Sequence, residues 1–151
     1  MKKYHEGLSV LVTSAWVGGM WVIGYVAAPV LFQTLADKSL AGMLAGKLFA
    51  VTAYMGMACA AYLLIYEYKY GREVARRSVF WIIAIMLLLD LLGHFGLQPL
   101  LAELKTQALP LYVMDSPNAG RFSLLHGVAS IIFLVQSVLG AILLLKSYIK
   151  A

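Results

Sequence analysis

The stretch VFWIIAIMLLLDLLGHFGLQPLL, residues 79–101, decides the fold that the sequence predicts. It is long and apolar enough to cross the hydrocarbon core of a bilayer, which takes about 20 residues of helix. Within it Asp90, His94 and Gln98 recur at every fourth position, so they share one face of a helix. Polar groups in the middle of a membrane helix are costly. This stripe therefore indicates either a functional site or a contact between helices.

The composition of the whole chain is that of an integral membrane protein. Of its 151 residues, 62% are hydrophobic and 13% are charged, and the mean hydropathy is +0.85. Four segments are long enough to span a bilayer: 8–31, 43–66, 79–101 and 122–145. The longest connection is too short to bury a core of its own. We therefore predict an all-α fold: one membrane domain over residues 1–151, an antiparallel four-helix bundle that runs up-down-up-down.

Positive charges predict the orientation of this bundle. The side with both termini carries Lys2, Lys3, Lys69, Arg72, Arg76, Arg77, Lys146 and Lys150, and the other side carries Lys38, Lys47, Lys105 and Arg121. Short cytoplasmic loops are enriched in Lys and Arg. The sequence thus predicts a multi-pass protein of the cell inner membrane with both termini in the cytoplasm. The same rule accounts for the basic turn at 72–77, so we predict no nucleic-acid partner.

Small residues and prolines mark the predicted contacts and bends. Ala15 and Gly19 are four residues apart, as are Gly42 and Gly46, and this spacing lets a neighbouring helix approach closely. These ridges exceed what one contact within the bilayer needs, which favours a homodimer. Prolines at positions 29 and 99 lack an N–H and are predicted to bend or end their helices.

The fourth segment supplies the predicted partner of the polar stripe. His126 and Ser130 share a helix face, and Gln136 lies on a neighbouring strip. Counted inward from the ends of two antiparallel helices, His126 and His94 lie at similar depths in the membrane, within one helical turn of each other. The predicted ligand or proton site therefore comprises Asp90, His94, Gln98, His126 and Ser130, with His94 and His126 as metal ligands.

Three functions are open to such a site. It can carry a small solute or an ion through the polar groups between the third and fourth helices. It can instead hold haem iron or copper between two imidazoles, with a carboxylate orienting one ring. It can also be structural, a set of interhelical hydrogen bonds in an assembly factor that has no small-molecule ligand. The sequence contains no nucleophile–base set and no phosphate-binding glycine loop, so we do not predict an enzyme.

Three stretches carry a resemblance to a known family: WVGGMWVIGYVAAPVLFQTL (16–35), LAGMLAGKLFAVTAY (40–54) and RFSLLHGVAS (121–130). They resemble the bacterial membrane family called domain of unknown function 4149, which is related to transmembrane protein 205-like proteins of eukaryotes. The chain is more remotely similar to copper-resistance D-like membrane proteins and to the four-helix, haem-binding protoporphyrinogen oxidase. That likeness implies copper or haem. The oxidase pattern, however, pairs a first-helix His with a third-helix Lys, and here the first helix offers only His5 at its edge.

Overall fold

The computed structural model describes residues 2–70 and 74–149, and over these ranges the chain is helical and has no β-strand. Four helices are long and apolar enough to cross a membrane, and we call them spans 1 to 4: Tyr4–Thr34, Lys38–Tyr70, Arg77–Ala108 and Ala119–Ser147. The predicted all-α class with four membrane-spanning helices is confirmed. All four spans extend beyond the predicted segments at both ends. The extension of span 3 brings Lys105 into the helix.

The helical elements have the following bounds: Lys2–Trp21, Val22–Ala27, Ala28–Thr34, Lys38–Tyr70, Val74–Leu91, Leu92–Leu97, Gln98–Ala108, Val113–Asp115 and Ala119–Ile149. Val22–Ala27 and Leu92–Leu97 are π-helical, and Val113–Asp115 is a 3-10 turn. The other elements are α-helices.

The π-helical segments explain why the prolines do not end their helices. In span 1 and in span 3 alike, six π-helical residues are followed by one α-helical residue and then by proline. A proline ring clashes with the carbonyl four residues earlier, and the wider π turn relieves that clash. The N–H of Ala28 bonds to Ile23, and that of Gln98 bonds to Gly93, each five residues back. The prolines therefore lie within their spans, each just beyond a local change of helix type, and a bend at either proline stays a prediction.

Each span packs against two others: spans 1 and 3 both contact spans 2 and 4. Side-chain contacts join the beginning of one span to the end of the next. The rings of His5 and Tyr70 lie 5.8 Å apart. At the opposite end of the bundle, Lys105 Nζ donates to the carbonyl of Gly42 at 3.1 Å.

These contacts define two ends of the bundle. We call the end with the His5–Tyr70 contact the termini end and the end with the Lys105–Gly42 hydrogen bond the loop end.

Two clusters of buried apolar side chains form the core. The larger one lies toward the termini end and consists of Trp16, Ala60, Leu63, Val79, Ile83, Met86 and Leu143. The smaller one lies at the loop end and consists of Leu101, Leu104, Ala108, Val113 and Phe122. Many large apolar side chains point outward instead; Val51 and Leu124 are each 67% exposed. Such surface is unfavourable in water at about 25 cal/mol per Å². It is the surface that contacts lipid.

The small residues predicted for helix packing lie against side chains of the same chain. A Cβ atom at Gly19 would lie 2.7 Å from Met55 Cε, and one at Gly42 would lie 3.8 Å from Lys105 Nζ. Gly46 also faces the Lys105 ammonium group, at 4.0 Å, whereas Ala15 is exposed. The glycine ridge of span 2 thus receives the lysine of span 3. A homodimer stays a prediction.

We predict that Gly24→Ala destabilises the fold. A Cβ atom at Gly24 would overlap the ring of Phe133, which is held by edge contacts with Tyr25 and Phe49 at 5.2 and 5.8 Å. Overpacking of this kind costs about 1–3 kcal/mol. The matched control is Gly18→Ala in the same span, where no described atom lies within 4 Å of the added methyl group. Thermal unfolding in detergent micelles compares the two, and equal effects would contradict the packing described here.

Candidate functional site

Asp90, midway along span 3, bonds to a buried polar residue of span 4. Gln136 of span 4 donates from Nε2 to Asp90 Oδ1 at 2.8 Å and to the Met86 carbonyl at 3.2 Å. A backbone carbonyl can only accept, so it fixes the amide with its nitrogen facing span 3. Gln136 is 6% exposed. Its amide therefore joins spans 3 and 4 in the interior of the bundle.

The second carboxylate oxygen faces the other two spans. Asp90 Oδ2 is buried and has no hydrogen-bond partner among the described residues. A Cβ atom at Gly56 of span 2 would lie 2.5 Å from this oxygen and 2.6 Å from Nε1 of Trp16 in span 1. Only glycine fits at position 56. The carboxyl of Asp90 is thus surrounded by one residue from each of the other three spans.

These four residues lie at one level of the bundle. Trp16, Gly56, Asp90 and Gln136 are each about a dozen residues from the termini end of their spans. At 1.5 Å per residue this corresponds to about 16–21 Å, close to the middle of a hydrocarbon core about 30 Å thick. We call this set the central cluster.

His94 lies four residues from Asp90, toward the loop end. Its Nδ1 atom is buried and, within residues 2–70 and 74–149, has no hydrogen-bond partner. The ring contacts Tyr54 and Phe95 edge to face, with centroids 4.6 and 4.8 Å apart. Asp90 and His94 therefore each hold a buried polar atom that no described group satisfies. Gln98, the third member of the predicted stripe, is partly buried where the α-helix resumes.

His126 and Ser130 lie on a different face of span 4. Both side chains are exposed; the His126 ring stacks on Phe122 at 5.8 Å, and the Ser130 hydroxyl donates to the His126 carbonyl at 2.9 Å. The buried face at this level is formed by Phe122, Leu125 and Ala129. Leu125 directly precedes His126, and Ala129 directly precedes Ser130. One residue turns a helix by about 100°, which carries the polar pair outward. The partner that the structure gives Asp90 is Gln136, and the pairing of His126 with His94 stays a prediction.

The residues around Asp90 on the other spans are not among the site residues predicted from the sequence. Gln136 has a usable signal, because it is the one amide in the middle of the fourth segment, at the depth of Asp90. Trp16 and Gly56 have none, since an indole and a glycine in apolar helices are ordinary packing residues.

The described side chains do not form a multidentate metal site. In residues 2–70 and 74–149, no group of three or more His, Cys, Asp or Glu side chains could hold a metal ion. The two-histidine ligand set remains a prediction from the sequence.

A family model described as Domain of unknown function (DUF4149) matches residues 11–110. The chain belongs to this family. The match confirms the DUF4149 resemblance and contains two of the stretches that carry it, 16–35 and 40–54, while 121–130 lies beyond the match. The remoter link to copper-resistance D-like proteins is not confirmed. The matched range includes Trp16, Gly56, Asp90 and His94, whereas Gln136 lies beyond it. No curated protein and no solved structure matches the chain.

We predict that Gln136→Leu destabilises this DUF4149 protein by about 1–3 kcal/mol, because Asp90 Oδ1 would then be buried without a donor. The double variant Asp90→Leu/Gln136→Leu should regain most of this loss, since removing both partners leaves no unsatisfied group. Chemical denaturation in detergent micelles measures both changes.

The control for this comparison is Ser130→Ala. Its hydroxyl is exposed and bonds only within its own helix, so a change within about 0.5 kcal/mol is expected. A double variant less stable than Gln136→Leu would mean that Asp90 stabilises the fold even without its donor, which would contradict this prediction.

Proposed function

We propose that this protein carries an ion across the membrane and that Asp90 is the group that binds it. The observation that supports the proposal is the asymmetry of the Asp90 carboxyl. Oδ1 is held by Gln136, while Oδ2 is buried and unpaired among the described side chains. Buried polar atoms in native proteins are nearly always hydrogen-bonded, so an unpaired one calls for an explanation. An oxygen that gains and loses an ion needs to be free of a permanent partner.

Further buried polar atoms lie on either side of this oxygen along the bundle. Tyr62 Oη lies toward the termini end and His94 Nδ1 toward the loop end, and neither has a described hydrogen-bond partner. At 1.5 Å per residue the three levels are about 6–8 Å apart. Imidazole exchanges protons near neutral pH, and intramembrane ionisable groups commonly mark ion pathways. Tyr62, Asp90 and His94 therefore form the proposed route.

The proposed orientation follows from the charges. The termini end carries twice as many Lys and Arg residues as the loop end in the sequence, which favours cytoplasmic termini in a bacterial inner membrane. A green fluorescent protein fused to the C-terminus should then fluoresce, and an alkaline phosphatase fused there should be inactive. The reverse pattern would overturn this orientation.

A structural role is the second candidate, and the two hydrogen bonds of Gln136 favour it. Interhelical hydrogen bonds in membranes contribute roughly 0.6–2 kcal/mol and fix the register of helices. An assembly factor without a small-molecule ligand would need no more than this. Haem or copper held by His94 and His126 is a separate hypothesis. A Soret band lost in His94→Ala would support it, and metal-free, colourless protein would not.

We predict that Asp90→Asn abolishes ion flux. Asparagine is close in shape to aspartate and keeps an oxygen that accepts from Gln136, so the fold is retained while the ionisable oxygen is lost. The assay is the acidification of proteoliposomes under an imposed membrane potential, followed with an internal pH dye, with counter-ions varied. His94→Gln should slow the flux.

The matched control is His126→Gln, because this exposed ring stacks only on Phe122 among its described aromatic contacts. It should leave the flux unchanged. Flux that is the same in wild type, Asp90→Asn and empty liposomes would remove the transport proposal and leave the structural role.

A further inference from the structure

The groups around the Asp90 carboxyl are donors on both sides. The Gln136 amide directs its N–H at Oδ1, because the Met86 carbonyl fixes its orientation. The indole nitrogen of Trp16 can only donate, and it lies beside the same point as Oδ2, over Gly56. One N–H therefore donates to Oδ1, and the indole nitrogen lies near Oδ2 without bonding to it, above the bare backbone of Gly56.

A metal cation at this carboxyl would need several oxygen ligands. Hard cations take about six or more oxygens, from carboxylates, carbonyls and water. The amide oxygen of Gln136 points away from Asp90, and the Met86 carbonyl already accepts from Nε2. Gly56 offers no side chain. Where the structure is described, Asp90 belongs to no group of three or more His, Cys, Asp or Glu side chains that could hold a metal ion.

A proton has no such requirement. It needs one oxygen lone pair, which Oδ2 supplies. The space beside Oδ2 is small, because a single methyl group at position 56 would fill it. An O–H bond forms at Oδ2 when the proton arrives and breaks when it leaves, and no redox partner takes part. The Gln136 N–H stabilises the carboxylate that remains, and the indole nitrogen of Trp16, which can donate but not accept, offers a metal cation no ligand.

We propose that the ion bound at Asp90 is a proton alone, and that Trp16 and Gln136 exclude Na⁺, K⁺ and divalent cations. This inference rests on the proposed function, since it names the ion that the same site carries. It also assigns Trp16 a role in selectivity through its indole N–H, which the sequence pattern does not reveal.

The test uses the reaction of a carbodiimide with a protonated carboxyl group in the membrane. Purified protein in lipid is treated with dicyclohexylcarbodiimide in choline buffer, Na⁺ buffer or K⁺ buffer at equal ionic strength. Modification of Asp90 is then measured by mass spectrometry. A site that binds only protons should be labelled at the same rate in all three buffers. Protection of Asp90 by Na⁺ or K⁺ of threefold or more would overturn the inference.

Flux measurements separate this inference from the proposal on which it rests. Asp90-dependent acidification that proceeds equally in choline and in Na⁺ supports both. Uptake of ²²Na⁺ that is lost in Asp90→Asn overturns proton selectivity and leaves ion transport standing. Equal labelling without any Asp90-dependent flux overturns transport, and Asp90 is then a buried acid that binds protons without moving them.

Trp16→Phe tests the role of the indole N–H. It keeps an aromatic ring in the core and removes the donor. We expect Na⁺ to begin to slow the labelling of Asp90 in this variant, by at least twofold, while Asp37→Asn in the connection between spans 1 and 2 changes nothing. Labelling of Trp16→Phe that stays independent of Na⁺ would contradict a selectivity role for Trp16.

Discussion

The hydrogen bond from Gln136 to Asp90 is the interaction on which the interior of this bundle depends. A carboxyl group near the centre of a bilayer costs several kcal/mol unless other groups compensate it. Its position requires span 4 to present an amide, span 2 to present a glycine and span 1 to present an indole N–H at one level. The central cluster therefore limits the rotation of all four spans about their axes. Apolar packing alone would constrain that rotation less. Lipid tails are as apolar as leucine side chains, so a helix surface gains little by exchanging one for the other.

Spans 1 and 3 share a backbone feature, but the ionisable Asp90 of span 3 has no counterpart in span 1. Each has a six-residue π-helical segment followed by a proline at the same spacing, and each is followed by a span with an Ala-Gly-Lys or Ala-Gly-Arg triplet near its start. In span 1, Met20 stands at the same distance from its proline as Asp90 does in span 3. The two helix hairpins thus resemble each other in form, whereas the ionisable group of the core belongs to the second hairpin.

The sequence predicted the four membrane-spanning helices correctly because the length of an apolar segment is set by the bilayer. All four helices run past both ends of the predicted segments, because helices of 29–33 residues are longer than the stretch that crosses the hydrocarbon core. The prolines of spans 1 and 3 do not end their helices, and a π-helical segment precedes each of them. The polar stripe on span 3 was visible at Asp90 and His94, since polar residues stand out against an apolar helix.

The partner of the stripe was harder to predict from the sequence. Depth counting selected His126, but depth does not determine which way a side chain faces, and span 4 turns Gln136 inward and His126 outward. An apolar helix has a weak polar face, so its rotation follows from packing that the sequence does not display. Gly56 and Trp16 became recognisable only through the atoms that surround them.

Infrared difference spectroscopy of the protein in lipid, between protonated and deprotonated states, tests the central claim most directly. This account predicts a carboxylic acid C=O band that disappears in Asp90→Asn and shifts in Gln136→Leu, because the hydrogen bond to Oδ1 is lost. A spectrum without a carboxyl band that depends on Asp90, or with a band that is indifferent to Gln136, would contradict it.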